Sequence, residues 1–182
     1  GAIYAFDLEG KVLANKTIRN IKRPNNVDVG YGFQMNDSTT TDILVFTERE
    51  AQQIRIFSIP EMQPIDGGGF KVFEDEENEE NKFPMGIALY TSPIDSSFYA
   101  IVGRKKGPLK QYIYQYRLHT ENSQIQATLV RKFGDFSGKK EIEAIAVDAE
   151  MGFVYYADEG HCIRKYHAEP SKGSEEIACF GG

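Results

Sequence analysis

The stretches VDVGYGF (27–33), MGIALYT (85–91) and EAIAVDA (143–149) superpose with Asp28, Gly86 and Ala144 in one column, each about 58 residues beyond the last. The runs that follow, DILVFTE, FYAIVGR and FVYYADE, superpose at Val45, Ala100 and Tyr155, about 55 residues apart. QIRIFS, QYIYQY and CIRKYH come third, each after a polar loop, and a weaker fourth run closes each unit: FKVF, ATLVRKF and EIACF. All are short, β-branched and aromatic, and no helical period is sustained over about twelve residues, so the chain reads as all-β. Glycine-bearing turns separate the runs, as in Leu8-Glu9-Gly10-Lys11 and Glu150-Met151-Gly152.

Four antiparallel strands repeated about every 55 residues is the pattern of a β-propeller blade, a meander that buries its faces against its neighbours. The spacing predicts blades over 21–78, 79–136 and 137–182. It makes 1–20 the end of a preceding blade, with IYAFDL and KVLANKT as its last two strands. Three to three and a half blades cannot close a ring, since propellers typically have about four to eight. The expectation is therefore about half a ring, starting abruptly inside a blade. Its two open edges invite self-association or a missing half.

With 41% hydrophobic residues, 12 Phe and 10 Tyr, the 182-residue chain carries enough apolar side chain for a core, which excludes general disorder. A net charge of −6 argues against a nucleic-acid partner bound mainly by phosphate neutralisation. No apolar run approaches the roughly 20 residues of a membrane helix, so no membrane partner is expected. The first residues carry no basic segment followed by a long apolar one, as a signal peptide would.

Cys162 and Cys179 lie in consecutive apolar segments joined by AEPSKGSEE, so they either pair across a hairpin or stay as two buried thiols. With three His and no CxxC spacing, a zinc site is not expected, and strand alternation scatters His161, Cys162 and His167 over two faces. The run Glu74 to Glu80 lacks the spaced ligands and sharp glycine turn of a calcium loop and reads as a solvated inter-blade loop. No phosphate loop, dinucleotide fingerprint or serine triad is present. One positional regularity points to a site. Arg49, Lys105 and Glu159 occupy the same slot in successive units, the loop between second and third strands, which brings them to one rim. Alone, each could be an ordinary solvated turn residue.

Four segments, NNVDVGYGF, the Arg49 turn after DILVFTE, FYAIVGRKKG and IEAIAVDAEMGFVYYADEGHCIRKYHAEP, resemble in order and spacing the β-propeller phytases. These are six-bladed, calcium-dependent phosphatases that hydrolyse phytate, inositol hexakisphosphate. The resemblance implies that Glu143, Glu159 and the backbone carbonyl of Val27 bind Ca2+, with Asn26 and Asp28 as neighbours. It implies that Arg49 and Lys105 hold the scissile phosphate, making Arg49, Lys105 and Glu159 the catalytic set. It also implies several Ca2+ ions in the complete protein, a calcium-activated water as nucleophile, inositol phosphates as substrates, and an extracellular or periplasmic location. Two positions depart from the pattern. Met85 stands where the family has a Tyr on the phosphate, and Lys106 where it carries an acidic residue. The family's remaining acidic ligands and a substrate-binding Lys lie outside these residues.

Two rival functions stay open. A non-catalytic propeller would bind a phosphorylated or anionic partner through the same basic rim, with Met85 as the sign of lost chemistry. A calcium lactonase would need ligands in several blades that the motifs here do not supply.

Overall fold

The computed structural model describes residues 1–182. Its strands form three four-stranded antiparallel sheets, each a simple meander. The first holds β3 (Pro24–Asn36), β4 (Thr39–Glu48), β5 (Gln53–Ile59) and β6 (Phe70–Lys71); β1 (Ala2–Ile3) and β2 (Ile18–Arg19) lie in the leading ribbon. The second holds β7 (Pro84–Thr91), β8 (Phe98–Arg104), β9 (Lys110–Glu121) and β10 (Gln124–Asp135). The third holds β11 (Ile145–Asp148), β12 (Phe153–Asp158), β13 (Cys162–His167) and β14 (Ala178–Phe180). The chain is all-β, with sheets of the propeller-blade type, as the repeat predicts. No helix is long and apolar enough to cross a membrane.

The leading segment is less regular than its alternation suggests. β1 (Ala2–Ile3) pairs with β2 (Ile18–Arg19), and between them only Phe6 bridges Val12. Asp7 accepts the backbone N–H of Glu9 and of Lys11, closing a tight turn, and Ala14–Lys16 coil into a 3-10 turn where KVLANKT was expected to continue as a strand.

The sheets stack face to face, which explains their near-continuous apolar runs: a strand buried on both faces has no polar alternation. In β8, Phe98, Ala100 and Val102 pack toward the first sheet, joining Phe33, Ile43 and Val45 in one cluster. Tyr99 and Ile101 join Val154, Tyr156 and Tyr166 toward the third sheet. Phe33 and Phe98 meet edge-on with ring centroids 5.4 Å apart, a geometry worth about 0.5–1.5 kcal/mol beyond area burial. The far face of the third sheet, around Ala144, Ala146, Tyr155, Ala157 and Ile163, is an apolar surface that no other sheet of the chain covers.

Cys162 and Cys179 form a disulfide between β13 and β14. This decides the alternative left open above. It also removes the one trio of potential ligand atoms that converge within 4.8 Å, His161, Cys162 and Cys179, from metal binding as thiolates. The acidic run is not simply solvated: Asp75 pairs with Lys132, Glu76 with Arg104, Glu79 with Lys82 and Glu80 with Lys106.

Candidate functional site

Antiparallel meanders put the starts of β3 and β7, the segment before β11, and the β4–β5, β8–β9 and β12–β13 loops at one end of the stack. Arg49, Lys105, Glu159, Glu143, Val27 and Met85 all lie at that end.

Arg49 begins the β4–β5 loop. Its backbone N–H donates to the carbonyl of Arg23 at 3.1 Å, and its side chain turns inward until the residue is only 9% exposed. There Nη2 donates to Oδ1 of Asn25 and touches Sδ of Met85, while the buried Nε has no partner. Burial, and then the neighbouring Arg23 guanidinium, lower the pKa of Arg49, with Glu141, Glu143 and Glu50 opposing. Asn25 is the hinge of the arrangement. Its Nδ2 donates to Oε1 of Glu143 at 3.1 Å, and Nδ2 of Asn26 reaches the Glu143 carbonyl at 3.4 Å. Thr47, fully buried, donates its hydroxyl to the Met85 carbonyl at 2.8 Å and accepts the Asn26 N–H at 3.1 Å. One polar network thus spans all three sheets.

Lys105 takes a different partner. Its Nζ lies 3.0 Å from Oε1 of Glu141, and the Glu141 carbonyl accepts the backbone N–H of Glu159 at 3.2 Å. The Glu159 carboxylate is exposed and makes no hydrogen bond or ion pair. Val27 is 46% exposed. Asp28 is already committed: its carboxylate accepts Leu89 N–H at 2.7 Å and Val29 N–H at 2.8 Å, stitching the first sheet to the second. The basic triplet divides. Lys106 pairs with Glu80 on the surface, and Arg104 is wholly buried.

Gly86 makes the site possible. A Cβ built there would sit 2.2 Å from the Glu143 carbonyl oxygen, so a side chain at 86 would push the Glu143 segment away from β7. Gly86→Ala is expected to cost about 1–3 kcal/mol as overpacking and to break the Asn26–Glu143 contact. Chemical denaturation checks it; an unchanged midpoint would show that the two backbones separate freely.

Sequence reasoning missed Asn25, Thr47, Arg23 and Glu141. Asn25 stands beside residues that were named, and Glu141 lies two positions before Glu143, in the irregular segment that leads into β11. A cleft of about 530 Å³ lies at the opposite end, lined by the β3–β4 turn and by Asp95, Ser96 and Thr120, and contains none of the expected site residues.

Repeated four-stranded meanders with basic and acidic side chains gathered on one rim define a class: blade-type β-repeat proteins. Within that class the chain belongs to the phytase family, whose model, described as Phytase, matches residues 1–179. It is 29% identical over 178 residues to the 3-phytase of Bacillus subtilis (strain 168), an alignment covering 95% of this chain and 43% of that protein. The chain thus spans less than half the length of that relative.

Proposed function

We propose that this chain forms part of a calcium-dependent phosphomonoesterase acting on phytate, as three consecutive blades and the end of a fourth in a six-bladed ring. The observation that carries the reading is the convergence of Arg49 and Lys105 with Glu143 and Glu159 on one rim. The 3-phytase relative and the family membership support it. Arg49 supplies a guanidinium for a phosphate oxygen, held in a largely buried position where such a bond is stronger than in water. Lys105 adds a point charge.

The donor set at this rim suits Ca2+: exposed carboxylate oxygens at Glu159 and Glu143 and a main-chain oxygen at Val27, without sulfur or imidazole. Three such donors are fewer than the six to eight that Ca2+ takes. The remaining ligands are proposed to come from water, substrate and other blades. When bound, Ca2+ would neutralise phosphate charge and make water a better nucleophile. The uncovered apolar face of the third sheet is the proposed seat of a further blade, and the disulfide supports an oxidising, extracellular or periplasmic setting.

Phosphate release from phytate by the full-length protein, measured with calcium, after chelation and after re-addition, tests the reading. Release is expected only with the cation; none at saturating calcium would overturn the catalytic proposal. One observation favours the second reading, a non-catalytic phosphate binder. Met85 is 2% exposed with its thioether on Arg49, and a thioether cannot donate a hydrogen bond to phosphate. Calorimetric binding of inositol hexakisphosphate without release would establish that reading.

A further inference from the structure

We propose that Glu141 is an internal competitor of the phosphate anion: its carboxylate holds Lys105 when the rim is empty, gives way to the bound anion and returns as the anion leaves. The inference rests on the phosphate-binding role of Lys105 given above. Its starting point is a contrast between the two cations. Arg49 is held by neutral groups, the Asn25 carbonyl and the Met85 thioether. An anion meets it without displacing a charge. Lys105 instead has a carboxylate 3.0 Å from its ammonium. An anion can take that ammonium only by displacing the carboxylate.

The geometry suits repeated exchange. Both side chains are 38% exposed, so the pair faces water and is weak enough to open. The backbone beneath it is fixed. Ile142 is fully buried, and the Glu141 carbonyl is engaged by Glu159 N–H, so the carboxylate can swing away while its main chain stays in place. A displaced Glu141 remains close to the rim, where Glu143 and Glu159 also carry negative charge, and repels the bound anion. Removing its charge therefore strengthens anion binding twice over, by freeing Lys105 and by lowering that repulsion. For a hydrolase acting here, inorganic phosphate is the product, and Glu141 would act on product retention as a positioning residue that works through Lys105.

The test is calorimetric titration of inorganic phosphate into the parent, Glu141→Gln, Lys105→Ala and the double variant. Glu141→Gln is expected to tighten phosphate by about two- to fivefold, the range of an exposed ion pair. In the Lys105→Ala background the same substitution should add under about half of that gain, because the competed partner is gone. Unchanged or weaker binding in Glu141→Gln, with Lys105→Ala clearly weakened, overturns the competitor role and leaves the phosphate site standing. Unchanged binding in Lys105→Ala sinks the Lys105 assignment and the competitor with it. A merely structural role for Glu141 would loosen the rim and weaken phosphate, the opposite sign.

Discussion

On the proposed reading, replacing Arg49 by alanine in the full-length protein is expected to lower phosphate release from phytate by about 100- to 1,000-fold, the usual loss when one preorganised donor to a developing anion is removed. The guanidinium is preorganised here by burial and by contacts with Asn25 and Met85 from two different sheets, so little reorganisation is needed when phosphate arrives. Alanine also strands the Asn25 carbonyl, which frees the amide that reaches Glu143. Arg49→Lys separates charge from geometry. It keeps the positive charge but loses the planar fork, so an intermediate loss of about tenfold is expected with the fold retained. Initial rates at saturating calcium, together with the unfolding midpoint of each variant, make the comparison. An alanine variant that folds and keeps activity within about threefold of the parent would remove Arg49 from the phosphate site.

The largest expected effect on stability belongs to Arg104, the neighbour of Lys105. This side chain is fully buried. Nε donates to the Tyr112 carbonyl at 2.9 Å, Nη2 to the Gln111 carbonyl at 2.8 Å, and Nη1 to Glu76 and the Asn81 carbonyl. The rings of Phe73 and Tyr114 lie 4.4 and 4.7 Å from its guanidinium carbon. Arg104→Ala leaves a part-buried carboxylate and three carbonyls without their donor, as well as a cavity between the first and second sheets. The cost of breaking such a pair is about 3–5 kcal/mol, or a fall of roughly 6–20 °C in Tm for a chain of this size. Calorimetry on Arg104→Ala and Arg104→Lys checks it. Lysine should rescue only part of the loss, since an ammonium cannot serve acceptors spread around a planar fork. A shift under about 1 kcal/mol would mean the Glu74–Glu80 loop folds without this anchor.

The fold was legible because burial on both faces leaves a signature that repeats with the sheets. VDVGYGF, MGIALYT and EAIAVDA superpose since each begins a sheet, and Arg49, Lys105 and Glu159 superpose since each follows a second strand. Pairings across long sequence separations were not legible. Nothing in the run Glu74 to Glu80 announces that Asp75 meets Lys132 or that Glu76 meets Arg104. Arg104 itself could have been found. It shares parity with Phe98, Ala100 and Val102 along β8, so strand alternation turns it inward, whereas its basic neighbours suggest only a charged loop. Asp28 shows the opposite limit. It stands next to a proposed calcium position, yet its carboxylate is spent on the N–H of Leu89 in the next sheet. For Glu141 only its spacing from Glu143 was readable; its pairing with Lys105, on another sheet's loop, was not. In the leading segment, alternation was present but the short turn at Asp7–Lys11 and the coil at Ala14–Lys16 left it little ladder to join.

The bond between Cys162 and Cys179 decides what a proteolytic cut near the edge of the third sheet would do. Strand β14 is three residues long and lies at the edge of its sheet, held by few ladder hydrogen bonds. The two cysteines are 17 positions apart, and between them runs the exposed loop around Ser171 to Ser174. A single cut in that loop would divide the polypeptide without releasing either piece. The severed end would stay tethered within reach of β13, so the sheet could close again after a nick that would otherwise strip away its outermost strand.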